Sequence, residues 1–329
     1  MSPLTTPVAA WNHGTNVEGL QTSKECADAA GLQWGVTKAP LTAHLYKGEV
    51  NGVALYLDQP VKREFTITRD DNDVVLGIVG KNFRPVPNLE AFALLDSLAE
   101  ESESKFEYAG YEGDGERVWM KVKYPREIRI KDNPDEVVSF SMFLTNAFNG
   151  SKSLVMHFAP ILDKQATILN PSNFKQDTMS IRHTRKYDEH IKEVRKVLKL
   201  GNAYFDTVED MFNNLADIKV NDSKFLEVMN SILPLPITDP TTGKAPNSTK
   251  VEGAREKLSQ LRTEQNVLSQ FPDTGWSTFV AISNYADHER SFKSRKDEAG
   301  SRDSIRFLSI LEGASQAIKN EALEILLNQ

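Results

Sequence analysis

Nucleophilic catalysis needs a serine or cysteine held beside a base, and this chain has neither a Gly-x-Ser-x-Gly elbow nor a Cys-Gly nucleophile context. A phosphate-binding loop needs a lysine after a glycine-rich turn with a Ser or Thr behind it. Thr242-Gly243-Lys244-Ala245 lacks both the upstream glycine and the hydroxyl. His183 and His190 stand two helical turns apart, whereas chelation from one helix face takes histidines on adjacent turns. In Asp287-His288-Glu289 consecutive side chains point to different faces. Glu112, Asp114 and Glu116 lack the full calcium-loop pattern and read as a solvated hairpin turn. A metal-dependent hydrolase using His183 and His288 would require the fold to bring acids to them, and spacing does not show that.

A better-defined feature is Arg117-Val118-Trp119-Met120-Lys121-Val122-Lys123, whose side chains alternate across a strand. Val118, Met120 and Val122 face a core, leaving Arg117, Trp119, Lys121 and Lys123 together on the other face. Cations beside an aromatic ring suit single-stranded nucleic acid, whose phosphates pair with the charges while bases stack. The same run also fits a face covered by a helix, with Trp119 in the core and the cations paired to acids. A second basic stretch, 182–199, carries seven cations against three carboxylates, and Arg182, His183, Arg185 and Lys186 are its candidate phosphate contacts. A third, looser cluster is Arg290, Lys293, Arg295, Lys296, Arg302 and Arg306.

The elements that would hold these groups divide the chain. Residues 1–14, rich in Pro, Thr and Ala, read as a flexible arm. Residues 15–170 read as an α+β domain with an antiparallel sheet and backing helices. Its helix over 23–30 is capped by Thr22 or Ser23 and stopped at Gly31. Strand-like runs follow at 33–36, 53–57, 62–69 and 74–80, with turn chemistry at Asp70-Asp71-Asn72-Asp73. Asn88 opens a helix over 89–100 with Phe92 and Leu95 on its apolar face, and further strands are expected at 117–123, 137–144 and 154–161. Residues 171–329 read as mainly helical. One helix ends near Gly201, others open at Thr207 or Asp206 and at Asn221 or Asp222, and more cover 251–269, 276–292 and 305–327. The proline-rich 234–248 segment is the candidate hinge.

With 329 residues, 40% of them hydrophobic, the chain can bury a full-sized core. A net charge of -7 argues against a dedicated duplex-DNA binder, and the single Cys26 excludes an intramolecular disulfide or a Cys-rich zinc site. No run approaches a membrane span and no signal-peptide pattern opens the chain, so a cytoplasmic location is expected.

The order of several landmarks resembles the family grouped as domain of unknown function 932. They are Ala30-Gly31-Leu32-Gln33-Trp34-Gly35-Val36, Arg69 with Leu76-Gly77-Ile78-Val79-Gly80, and Val86-Pro87-Asn88 before Glu90-Ala91-Phe92. Further on come Ala109-Gly110, Gly115-Glu116-Arg117-Val118-Trp119, Arg182-His183-Thr184, Gly275-Trp276 and Ala286-Asp287-His288. Where relatives often carry an Arg-x-x-Cys-x-Asn-Thr segment, this chain reads Ile168-Leu169-Asn170-Pro171-Ser172-Asn173-Phe174, which removes any role for that cysteine. The resemblance implies a phage or plasmid context but no activity. A fainter likeness to phage single-strand annealing proteins rests on Leu32 to Val36, the 62–80 hairpin and the helix from Leu89. The expectation is a homo-oligomeric phage or plasmid DNA-metabolism protein that binds single-stranded DNA without a cofactor, a catalytic residue or a metal. The alternative is a structural or host-interaction oligomer whose same aromatics are buried in a protein contact.

Overall fold

The computed structural model describes residues 7–151, 154–169, 178–180, 187–237, 248–292 and 302–328. A short β1 (Thr15–Asn16) leads to α1 (Ser23–Ala29), whose N-cap Thr22 forms a reciprocal capping box with Glu25. Then come β2 (Val36–Val50), β3 (Val53–Arg69), β4 (Val75–Gly80) and α2 (Asn88–Ser102). The central strands are β5 (Lys105–Glu112), β6 (Arg117–Arg129), β7 (Val137–Ala147) and β8 (Leu154–Leu162), followed by the short β9 (Thr167–Ile168) and β10 (Thr178–Ser180). The helical half holds α3 (Tyr187–Asp217), α4 (Asp222–Ile232), α5 (Ser248–Leu268) and α6 (Gly275–Asn284). A π-helical turn (Tyr285–Glu289) precedes α7 (Arg302–Glu312) and α8 (Ala314–Leu327). This is the expected α+β architecture: an antiparallel sheet region followed by a mainly helical half.

The main sheet runs β1-β5-β6-β7-β8-β10 with β9 also on β8, and every pairing is antiparallel. Both of its faces are apolar. Val118, Met120 and Val122 join Phe140, Met142 and Phe158 in a large core completed by Phe92 and Leu95 of α2 and Phe205 and Phe212 of α3. The Phe140 and Phe205 rings stand 4.0 Å apart. The opposite face carries Trp119, Phe143, Ala159 and Ile161 in a smaller core, closed by Ala9, Ala10 and Trp11 and by Phe307, Ile310 and Leu311 of α7. A sheet buried on two sides needs apolar residues at successive positions, which explains why β7 and β8 are buried almost throughout.

Several boundaries differ from the sequence expectation. Residues 7–14 are not a loose arm, because Trp11 packs in the smaller core and Arg306 donates to the Val8 carbonyl. α3 does not stop near Gly201: it runs through, and the glycine is needed because a Cβ there would lie 2.9 Å from the Phe158 ring. Thr207 opens no helix and instead donates to the Ala203 carbonyl. Asn88 does not cap α2; it is buried, and its amide donates to the Leu32 carbonyl. The expected final helix is divided at Gly313 into α7 and α8. Residues 238–247, most of the expected hinge, lie outside the described residues.

Candidate functional site

The strand expected to carry nucleic acid is β6, and its odd-numbered face is covered. Trp119 is 0% exposed, with Phe307 4.8 Å from it centroid to centroid and its indole N–H donating to Glu112 at 2.7 Å. His13 reaches the same Glu112 oxygen at 2.8 Å. Lys121 is 4% exposed, paired with Glu107 and 5.0 Å from the centre of the Trp11 ring. Burial pushes its ammonium pKa down, against the pull of Glu107. Arg117 pairs with Glu312 of α7, and Lys123 alone of the four keeps an open aspect, within 4.0 Å of Asp163 and 3.8 Å of Glu127. The side chains do alternate across the strand, but residues 7–13 and α7 occupy the face on which Arg117, Trp119 and Lys121 stand, so the expected nucleic-acid face is a protein contact. No base can stack on Trp119 and no phosphate can reach Lys121 in this arrangement. Arg182, His183, Arg185 and Lys186 lie outside the described residues.

The histidine reading resolves for His288. Its two ring nitrogens meet Thr167 Oγ1 at 3.1 Å and an Arg306 N–H at 2.8 Å. Burial, then the charges of Arg306 and Lys319, lower its pKa to about 4. Flanked by two cations and hydrogen-bonded on both nitrogens, it is a neutral packed histidine. Among the described residues no group of three His, Cys, Asp or Glu is placed to hold a metal ion. Cys26 is buried, and burial with the Asp96 and Glu25 charges pushes its thiol to about 12.

A different feature stands open. β2 and β3 form a ribbon turned at Asn51-Gly52, whose φ angles of 52° and 78° suit the tight turn of a two-residue hairpin. Its root is fixed: β4 pairs with β3 over Glu64–Thr68, and Ile67 is fully buried. Lys38 Nζ donates to the carbonyls of Gly80, Lys81 and Phe83, and Arg69 lies 4.3 Å over the Trp34 ring and bonds the Asp114 carbonyl at 2.7 Å. Between Pro40 and Thr42 the register slips opposite a bulge containing Arg63, held at φ 68°. Bulges bend and twist a ribbon, so the distal part, Thr42 to Pro60, is set off from its root. It has no third strand, and every residue from 49 to 63 is exposed.

Cross-strand pairing sorts the distal side chains into two faces. Leu45 opposes Leu57 and Val50 opposes Val53, while Val53, Leu55 and Leu57 alternate onto the same side. All five aliphatic residues are exposed to solvent. The other face carries His44 stacked at 4.1 Å on Tyr56, with Tyr46 edge-on to Tyr56 at 5.7 Å and Asp58 on His44. Within 42–60 the charged residues are Lys47, Glu49 and Asp58.

The family model described as domain of unknown function (DUF932) matches residues 75–306, well over half of the chain. The chain belongs to this family. The match runs from β4 into α7 and leaves β2 and β3 outside it. No curated protein and no solved structure matches the chain. No helix among the described residues is long and apolar enough to cross a membrane.

Only half of the ribbon follows from the strand-like runs of the sequence. The expected strands at 53–57 and 62–69 are one strand, β3, and 37–50 carries no expected strand, whereas Asn51-Gly52 between alternating apolar residues is the strongest short-range hairpin signal a sequence carries.

Proposed function

We propose that the protein is a self-associating interaction protein whose distal ribbon docks on a second copy of the chain. The observation that carries this is the aliphatic face of Leu45, Val50, Val53, Leu55 and Leu57 held in water on a two-stranded ribbon. Contiguous exposed apolar surface marks an interaction site, and an isolated two-stranded ribbon is only marginally stable without something packed on it. With one ammonium against two carboxylates the distal ribbon offers nothing to a phosphate backbone.

Area favours a reciprocal arrangement. A ribbon about 30 Å long and about 10 Å wide presents on the order of 300 Å² per face. One face falls well short of the roughly 800 Å² per partner of a specific complex. Two exchanged ribbons, each burying both faces, bury about 1,200 Å² of ribbon surface in total, the lower bound of roughly 1,200–2,000 Å² in total for a specific complex, before the surfaces that receive them are counted. Exchange between identical chains also supplies both ribbons at once, the isologous arrangement commonest among homo-oligomers.

Sedimentation velocity of the purified protein tests this against Leu55→Lys/Leu57→Lys. The native protein is expected to sediment as a dimer or larger, and the variant as a monomer with unchanged thermal unfolding, because both sites are exposed. A native protein that stays monomeric at about 100 μM, a concentration at which a complex of even modest affinity forms, overturns the reading. The single-strand DNA reading now rests on Arg182, His183, Arg185 and Lys186. Salt-sensitive binding of a labelled single strand by the monomeric variant would restore it as the principal account.

A further inference from the structure

A cavity of about 730 Å³ opens between α5, α6, the π-helical turn and the turn after β8. Its size lies within the range of small-molecule sites, which pair an apolar lining with a few convergent polar groups. Leu162, Leu261 and Leu268 supply the apolar surface. Three carboxamides form a directed chain across it: Asn284 donates to Gln165 at 3.2 Å, and Gln165 donates to Gln265 at 2.6 Å.

Each carboxamide is placed by a local device. Gln165 ends a short 3-10 turn stopped by Ala166 at φ 49°. Asn284 is the last residue of α6, directly before the π-helical turn, where the Arg290 N–H reaches back five residues to the Tyr285 carbonyl. Such π turns recur at functional sites because the extra residue re-aims the side chains around it. Gln265 is 6% exposed, so it is held within the wall. Beneath it, buried Glu136 is saturated by Ser269 Oγ, the Gln270 N–H and the Trp276 indole N–H. That makes a firm base for the cavity.

A chain of carboxamides has polarity. With Asn284 and Gln165 donating along it, one end presents the Asn284 carbonyl as an acceptor and the other the Gln265 amide as a donor. An apolar wall beside separated donor and acceptor edges suits a flat heterocycle that carries both. The charged lining is Asp135, Glu136, Glu264 and Glu289 against Lys164 and Lys257. Lys257 is already paired with Glu289 at 3.3 Å, and Lys164 donates to the Asp135 carbonyl. Excess negative charge repels a phosphate, while carboxylates accept hydrogen bonds from hydroxyl groups.

We infer that this cavity binds an uncharged nucleoside, its base against the leucines and edged by the carboxamide chain, its sugar hydroxyls toward Glu264 and Asp135. All but one of the lining residues, Pro7, fall within the family-matched segment, whereas the ribbon does not, so the two sites are independent.

Isothermal titration of the full chain with adenosine, guanosine, cytidine and uridine, and with each 5′-monophosphate, tests the inference. Two variants accompany it. Gln265→Leu removes the terminal donor. Leu268→Asp alters an exposed wall residue, so folding is preserved even if the first variant is unstable. Saturable binding of one nucleoside, weakened roughly tenfold or more in a folded variant as expected for one lost directed contact, and weaker for its monophosphate, supports the site. No saturation with any nucleoside, affinity unchanged by Leu268→Asp, or tighter binding of the monophosphate overturns it.

Discussion

Two histidines titrate with opposite consequences, and each reports on a different anchor. Burial lowers the pKa of His13, but the hydrogen bond and charge of Glu112, with the Ala10 carbonyl and Asp303, outweigh burial and leave it raised above 6.5. The folded state therefore holds that proton more tightly than the unfolded chain. The stabilisation is complete below pH 6.5 and is lost as pH rises through the folded value. His288 runs the other way. Its pKa of about 4 against 6.5 unfolded means the unfolded chain binds more protons between those values. Stability present above pH 6.5 should fall as pH drops toward 4, by about 3 kcal/mol in all. Thermal unfolding across pH should show the alkaline loss vanish in His13→Gln and the acid loss shrink in His288→Gln. An acid limb unchanged by His288→Gln would mean that other groups produce it.

At the scale of elements, the two sheets meet where β4 crosses the turn after β7. A Cβ on Gly77 would stand 2.5 Å from the Asn149 Cα, and backbone cannot move aside as a side chain can. Gly77→Ala should destabilise the fold by about 1–3 kcal/mol, the usual cost of forced overpacking, measured by urea unfolding. Gly52→Ala is the contrasting case. At φ 78° an alanine costs about 1–2 kcal/mol, but the strain falls on an exposed turn at the tip of the ribbon. Its global unfolding midpoint should not move, while self-association weakens in sedimentation. Should the midpoint fall as far as in Gly77→Ala, the ribbon is part of the folding unit rather than an appendage.

Across the whole molecule, a buried ion pair ties α8 and the π-helical turn to β9 of the main sheet. Lys319 of α8 and Asp287 of the π-helical turn are 0% and 1% exposed, 2.5 Å apart. Lys319 also donates to the Ile168 carbonyl in β9, and Asp287 accepts the Ile168 N–H. Burial raises the Asp287 pKa and lowers that of Lys319, each opposed by the partner's charge. Lys319→Met strands a buried carboxylate and should cost about 3–5 kcal/mol by denaturant unfolding. Adding Asp287→Asn, which keeps an acceptor for Ile168, should recover most of it. No recovery in the double variant would show that packing of the lysine stem, not charge, is what the site supplies.

Local rules determined much of this protein from sequence alone. Thr22 and Glu25 cap α1 within one turn, the alternation of Arg117 to Lys123 makes a strand, and Asn221 opens α4, because each needs only neighbouring residues. What alternation cannot say is whether the second face of a strand meets water or protein. Alternation places Trp119, Lys121 and Arg117 on one face, yet residues about a hundred positions upstream and nearly two hundred downstream cover it. Likewise the carboxamide chain of Gln165, Gln265 and Asn284 spans over a hundred residues of sequence. Contacts of that range follow from how the helices and the N-terminal segment pack on the two faces of the sheet, and only the tertiary structure decides them.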